Sequence, residues 1–144
     1  MKRLATLADV DAVAAMGERF RATTGYRDTL AANPAQLAAL ATRLIDAPDG
    51  DVIVADVDGA LVGMLALLVY AHHMSGERIA GELAWWVDPA HRGIGVRLLR
   101  AAEAWAQARG AVALQLIAPT PAVERLVERL GYTPVERTYQ RRFA

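Results

Sequence analysis

The sequence predicts an α/β fold with a mixed, mostly antiparallel sheet flanked by helices. Three observations carry this. Apolar residues recur at helical spacing up to about residue 46, and then the pattern becomes strand-like. The segments Leu83–Val87, Gly93–Arg109 and Val112–Ile117 form a strand–helix–strand unit, which implies one parallel crossover. The strands before it are separated by turns too short for anything but antiparallel pairing. With 144 residues, 54% of them hydrophobic and 22% charged, the chain can bury a core as one domain over 1–144.

Taken in order, residues 2–5 suit a short first strand. From Leu7 to Phe20, Val10, Val13, Ala14 and Met16 fall on one helical face, with Asp9 or Asp11 near the start. Residues 21–28 show no period and read as a loop. Asn33 as N-cap and Pro34 at the first helical position open a helix to Ile45, and Ala47-Pro48-Asp49-Gly50 ends it. Val52–Ala55 is a strand, Asp58-Gly59 a hairpin signal, and Leu61–Tyr70 its antiparallel partner. A turn near Ser75-Gly76-Glu77 leads into Ile79–Val87. The next helix buries Leu98, Leu99, Ala102, Trp105 and Ala106 and stops at Gly110. Val112–Ile117 is apolar enough for the middle of the sheet. Thr120 caps a helix from Pro121 to Leu130, and Thr133–Phe143 alternates like a closing strand or hairpin.

Composition excludes several functions. Zero net charge argues against a broad nucleic-acid or anionic-membrane surface. The lack of cysteine rules out disulfides, thiolate metal sites and a cysteine nucleophile. The first residues contain no apolar core of signal-peptide length, and no apolar run approaches the roughly 18 residues of a membrane span. A soluble, cytoplasmic protein is the expectation.

The most informative stretch is Asp88-Pro89-Ala90-His91-Arg92-Gly93-Ile94-Gly95-Val96-Arg97-Leu98-Leu99. Two glycines and an arginine at a strand-to-helix junction can turn backbone N–H groups toward an anion, and the helix dipole favours negative charge there. A phosphate-binding Walker loop would need lysine and then serine or threonine after its last glycine, where Val96 and Arg97 stand. A dinucleotide-binding turn would need a third glycine where Leu98 stands. A tight turn that merely packs a helix on a sheet is the other reading.

From Arg3-Leu4-Ala5-Thr6-Leu7-Ala8-Asp9 to Leu130-Gly131-Tyr132, the chain resembles the GCN5-related N-acetyltransferase (GNAT) family of acyl-coenzyme A N-acyltransferases. The stretch from Val87 to Leu99 resembles that family's coenzyme signature: arginine or glutamine, two residues, glycine, one residue, glycine or alanine. Aligning Gly93 and Gly95 with its glycines places Ala90 at the arginine position, whereas anchoring on Arg92 leaves the loop two residues short. The resemblance implies acetyl-CoA as cosubstrate, held by Trp86, Val87, Arg92, Gly93, Ile94, Gly95, Val96 and Arg97. It implies no metal.

The chemistry implied is attack of a neutral amine on a thioester. It needs a base, a donor for the developing oxyanion, and optionally an acid. Backbone N–H groups of Trp85, Trp86 or Val87 suit the second role. Glu82 stands where the family often carries a glutamate base; the alternative is a solvated edge carboxylate. His72 and His73 could line the acceptor pocket or lie on the surface. Relatives place an acidic tyrosine where Val127 stands, and Thr120 replaces their asparagine. Tyr132 suits packing. Tyr139, alternating with Arg137 and Arg141, could reach the coenzyme sulfur as the acid. Arg137, Arg141 and Arg142 otherwise read as a solvent-facing strand. Trp85 and Trp86 should point to opposite faces, one beneath the coenzyme helix. The expected function is acetyl transfer to a primary amine of a small molecule, peptide or protein. The alternative is a non-catalytic coenzyme-binding or degenerate module acting as a sensor or partner-binding domain. A homodimer is compatible with the alanine-rich helices.

Overall fold

The computed structural model describes residues 1–143. Five strands form one sheet in sequential order: β1 (Lys2–Leu4), β2 (Gly50–Val57), β3 (Ala60–Ala71), β4 (Arg78–Val87) and β5 (Leu114–Gln115). The first three pairings are antiparallel, and β4 with β5 is parallel. Asp58 and Gly59 both adopt positive φ (53° and 84°), the left-handed conformation that a two-residue hairpin turn requires.

Helices cover both faces of the sheet. Helix α1 (Val10–Ala22) and helix α2 (Pro34–Asp46) pack together on one face. There Val13, Met16, Ala41 and Leu44 meet Val52, Val54, Met64 and Ala66. Helix α3 (Gly95–Ala108) covers the other face, where Leu98, Leu99, Ala102 and Trp105 meet Ile53, Leu65, Leu67 and Val69. The alternation of β3 between these two clusters follows from the two-residue period of a strand. Helix α4 (Pro121–Arg129) buries Val127 and starts as the sequence suggests: the Thr120 hydroxyl accepts from the Val123 N–H, and Pro121 occupies the first turn. No helix among the described residues is long and apolar enough to cross a membrane.

Three expectations are corrected. The segment Val112–Ile117 is a strand only at Leu114–Gln115, and it lies at the edge of the sheet, not in its middle. Thr133–Phe143 forms no strand or hairpin, so Arg137, Tyr139 and Arg141 do not share a strand face. The physical reason is common to both. A closing strand needs a ladder to pair with, and β5 presents only two residues before the chain turns away. The helix expected from Gly93 begins as a 3₁₀ turn over Pro89–Ile94 and becomes α-helical at Gly95.

Candidate active site

The site is built where β4 and β5 part. Their parallel pairing covers Ala80 with Leu114 and Gly81 with Gln115, tied by Val112 N–H to Arg78 O and Ala80 N–H to Ala113 O, both 2.9 Å. Two features then separate the strands. On β4, Ala84 pairs with Ala66 but Glu82 pairs with Leu67, so Leu83 is an extra, bulged residue. Beyond β5, the Ile117 N–H is taken at 2.8 Å by the Glu82 Oε2 and not by a backbone carbonyl.

Glu82 is therefore a buried carboxyl at the fork, 4% exposed, and not the solvated edge carboxylate that was its alternative. Its Oε1 is buried without a hydrogen-bond partner. Burial pushes its pKa up to about 7, with the Ile117 N–H opposing. A group poised there both accepts and releases a proton near neutral pH.

Backbone donors on β4 follow from the ladder. Asp88 N–H donates to Val62 O at 2.8 Å, toward β3. Alternation then turns the N–H groups of Trp86 and Ala84 to β3 as well, and those of Trp85 and Val87 to the open edge. The Trp86 carbonyl confirms the phase, since it lies 3.2 Å from where a Cβ on Gly63 of β3 would sit. Trp86 is thus turned away from the fork: its backbone faces β3 and its side chain packs with the α1–α2 cluster. Trp85 packs on the α3 side, as one of the pair was expected to do.

At the start of α3, Arg92, Gly93, Ile94 and Arg97 come together around an open depression of ≈ 310 Å³, with Ala90 and His91. The two glycines differ in kind. A Cβ on Gly93 would meet nothing within 4 Å, so that position opens outward. A Cβ on Gly95 would sit 3.5 Å from both Trp85 Cζ2 and Val87 Cγ2, and Gly95 is buried. Gly95 lets α3 approach the sheet; its N–H is bonded back to Arg92 O and is not free for an anion. The cradle reading therefore rests on Gly93 and the flanking arginines.

Other candidates are dispersed. Tyr139 is 82% exposed, in the irregular tail. Gln140 and Arg142, which follow it in the chain, donate side-chain hydrogen bonds to Thr29 O, at 2.8 and 3.3 Å. His72 and His73 stack with ring centroids 4.6 Å apart, and His72 Nδ1 accepts from the Met74 N–H. Tyr132 packs against the α3-side core and donates to Glu103 Oε1 at 2.8 Å; burial and that carboxylate raise its pKa. A polar pair missed from the sequence lies one rung before the fork. Tyr70 Oη donates to Gln115 Oε1 at 3.3 Å, its ring over Gly81, where a Cβ would be only 3.1 Å from Cε1. Gly81 between two strand residues was the available signal.

A sheet whose single parallel pair forks beside a buried carboxyl, with a cationic turn opening the crossover helix, defines an α/β acyltransferase fold. The family model described as "Acetyltransferase (GNAT) family" matches residues 17–132, and the chain belongs to that family. Solved structures agree in fold. A GCN5-related N-acetyltransferase from Ralstonia eutropha JMP134 superposes with a TM-score of 0.78 at 25% identity, covering 98% of this chain and 97% of that one. A ribosomal-protein-alanine N-acetyltransferase from Brucella melitensis biovar Abortus 2308 gives 0.75 at 22%, covering 100% and 99%. An aminoglycoside antibiotic 6'-N-acetyltransferase from Acinetobacter haemolyticus gives 0.77 at 17%, covering 100% and 98%. Among curated proteins none matches.

Proposed function

We propose that this chain is an acetyl-CoA-dependent N-acetyltransferase whose acceptor is a primary amine on a small molecule, peptide or protein. The observation that carries the reading is the buried Glu82 carboxyl at the fork, poised near neutrality with one oxygen unpartnered. Family membership supports acyl transfer, and the two neighbours named for protein and aminoglycoside acetylation support an amine acceptor.

The residues fit a phosphorylated thioester coenzyme. Gly93 opens outward beside two exposed guanidinium groups, Arg92 and Arg97, which suit phosphate oxygens. Among the described residues, the buried unpartnered side-chain atoms, Glu82 Oε1, Trp85 Nε1 and His91 Nδ1, all belong to β4 or to the turn that follows it. The coenzyme, when bound, supplies an activated acyl thioester. The chain's own residues do the rest. Ionised Glu82 takes the proton of the acceptor ammonium on Oε1, while Ile117 N–H steadies Oε2. The Trp85 and Val87 N–H groups, facing the open edge, stabilise charge that develops on a carbonyl oxygen. A thiolate leaves without an obligatory acid, so Tyr139 is not required.

The test is a coenzyme A-release assay across amines, antibiotics and peptide N-termini, run beside Glu82→Gln. Turnover should fall by about 10²-fold or more in the variant, the range of general-base catalysis, with coenzyme A affinity unchanged. Undiminished turnover in Glu82→Gln excludes the base assignment. Coenzyme A binding with no turnover on any acceptor would favour a non-catalytic module, a reading to which the engaged Gly95 N–H lends weight.

A further inference from the structure

Glu82 and Trp85 lie three residues apart, an odd spacing that in a regular strand sends side chains to opposite faces. The Leu83 bulge removes that difference. Leu83 and Ala84 both pack toward the α1–α2 cluster, and Trp85 packs with the α3-side cluster, in which Leu67, the register partner of Glu82, also lies. Both bulge-linked residues thus present an unsatisfied polar atom, Oε1 and Nε1–H, on the α3 side of the fork. The indole edge lies against the start of α3: Cε2, the atom bonded to Nε1, is 3.8 Å from the Gly95 Cβ position, and Cζ2 is 3.5 Å from it. His91, whose Nδ1 is the third unpartnered atom, lines the depression at that same turn. Among the described residues the buried orphan polar atoms therefore mark one track, from the fork along β4 to the arginine-lined turn.

An indole N–H is a donor and nothing else, and a buried donor without an acceptor costs stability for as long as it stays unpaired. Packing alone does not account for it, since a phenyl ring would fill the space beneath α3 without that cost. We infer that Trp85 is a ligand-binding residue: its indole N–H donates to a carbonyl oxygen on the arm of the acyl-carrying coenzyme, beside Glu82. The inference rests on the coenzyme reading above and adds a side-chain contact to it. It also gives the bulge a second task. Besides parting the strands, it turns the indole to the side on which the phosphate-binding turn lies.

The test compares Trp85→Phe with the wild type by calorimetric titration of coenzyme A and by thermal unfolding without ligand. A second variant carries β-(3-benzothienyl)alanine at position 85, in which sulfur replaces the N–H at nearly constant shape, and covers the case in which phenylalanine packs poorly. The expected result is a Kd weakened about fivefold to tenfold in both, as for one lost hydrogen bond, with the ligand-free melting temperature of the isostere unchanged or raised. A melting temperature lowered in both variants with coenzyme A affinity within twofold of wild type makes Trp85 a packing residue and overturns the inference. Wild-type protein that binds no coenzyme A at millimolar concentration removes the coenzyme reading itself, and this inference with it.

Discussion

Burying Glu82 has a cost that can be measured without any substrate. Its pKa rises from the ordinary 4.5 to about 7 because burial disfavours the charged form. Below about pH 4.5 the group is protonated in both the folded and the unfolded chain. Between there and pH 7 the unfolded chain has released the proton and the folded one has not, so stability falls as pH rises. Above pH 7 both states are ionised and the loss is complete. At about 1.4 kcal/mol per pH unit, the total is about 3 kcal/mol between pH 4 and pH 8.5. Glutamine at position 82 keeps an oxygen for the Ile117 N–H and never ionises. The stability difference between Glu82→Gln and wild type should therefore grow by about 3 kcal/mol across that range, with the variant gaining at high pH. In melting temperature this is roughly 6–12 °C for a chain of this size. All other groups are common to both proteins and cancel in the comparison. Urea unfolding at closely spaced pH values reads the difference directly. A difference that stays constant from pH 4 to pH 8.5 would refute the claim that the carboxyl is buried and mostly protonated in the folded chain.

With a reactive amine in hand, wild-type kcat should climb tenfold per pH unit below about pH 7 and level off above it, as ionised Glu82 accumulates; a profile flat from pH 5 to 8 contradicts this. Gly93→Glu should leave the melting temperature within a few degrees of wild type yet weaken coenzyme A binding at least about tenfold by charge repulsion, because its side chain enters open space. Gly95→Glu, whose carboxylate would be driven against Trp85 and Val87, should instead lower the melting temperature itself. On the far side of the α3 core, Asp51 accepts from Trp105 Nε1 at 3.0 Å in a buried setting, so Trp105→Phe should cost about 2–3 kcal/mol by urea unfolding. Tyr139→Phe should change turnover less than about twofold; a hundredfold loss would restore the tyrosine as acid.

The sequence was most legible where one local rule acts alone. Asn33 and Pro34 mark the start of α2, Asp58-Gly59 the hairpin and Thr120-Pro121 the start of α4, and each carries its signal in two adjacent residues. The turn from Asp88 to Leu99 was likewise legible as the joint of a crossover, and Glu82 as a carboxyl beside it. What failed was the far end. Val112–Ile117 and Thr133–Phe143 have strand-like composition, but a strand exists only with a partner, and no local pattern reveals whether the partner's edge is free. The bulge at Leu83 was equally hidden, since leucine there fits a regular strand as well as a bulged one.

Residue types and their order were enough to establish the α/β class, the crossover and a basic glycine turn at its helix, because propensity, capping and periodicity are properties of neighbouring residues. Tertiary structure alone decided that Glu82 is buried and shifted toward neutrality, that Trp86 and not Trp85 turns its backbone to β3, and that Gly95 serves packing while Gly93 faces outward. Each of those depends on strand register and on distance to a residue remote in the chain, quantities that arise only when the sheet closes around its two cores.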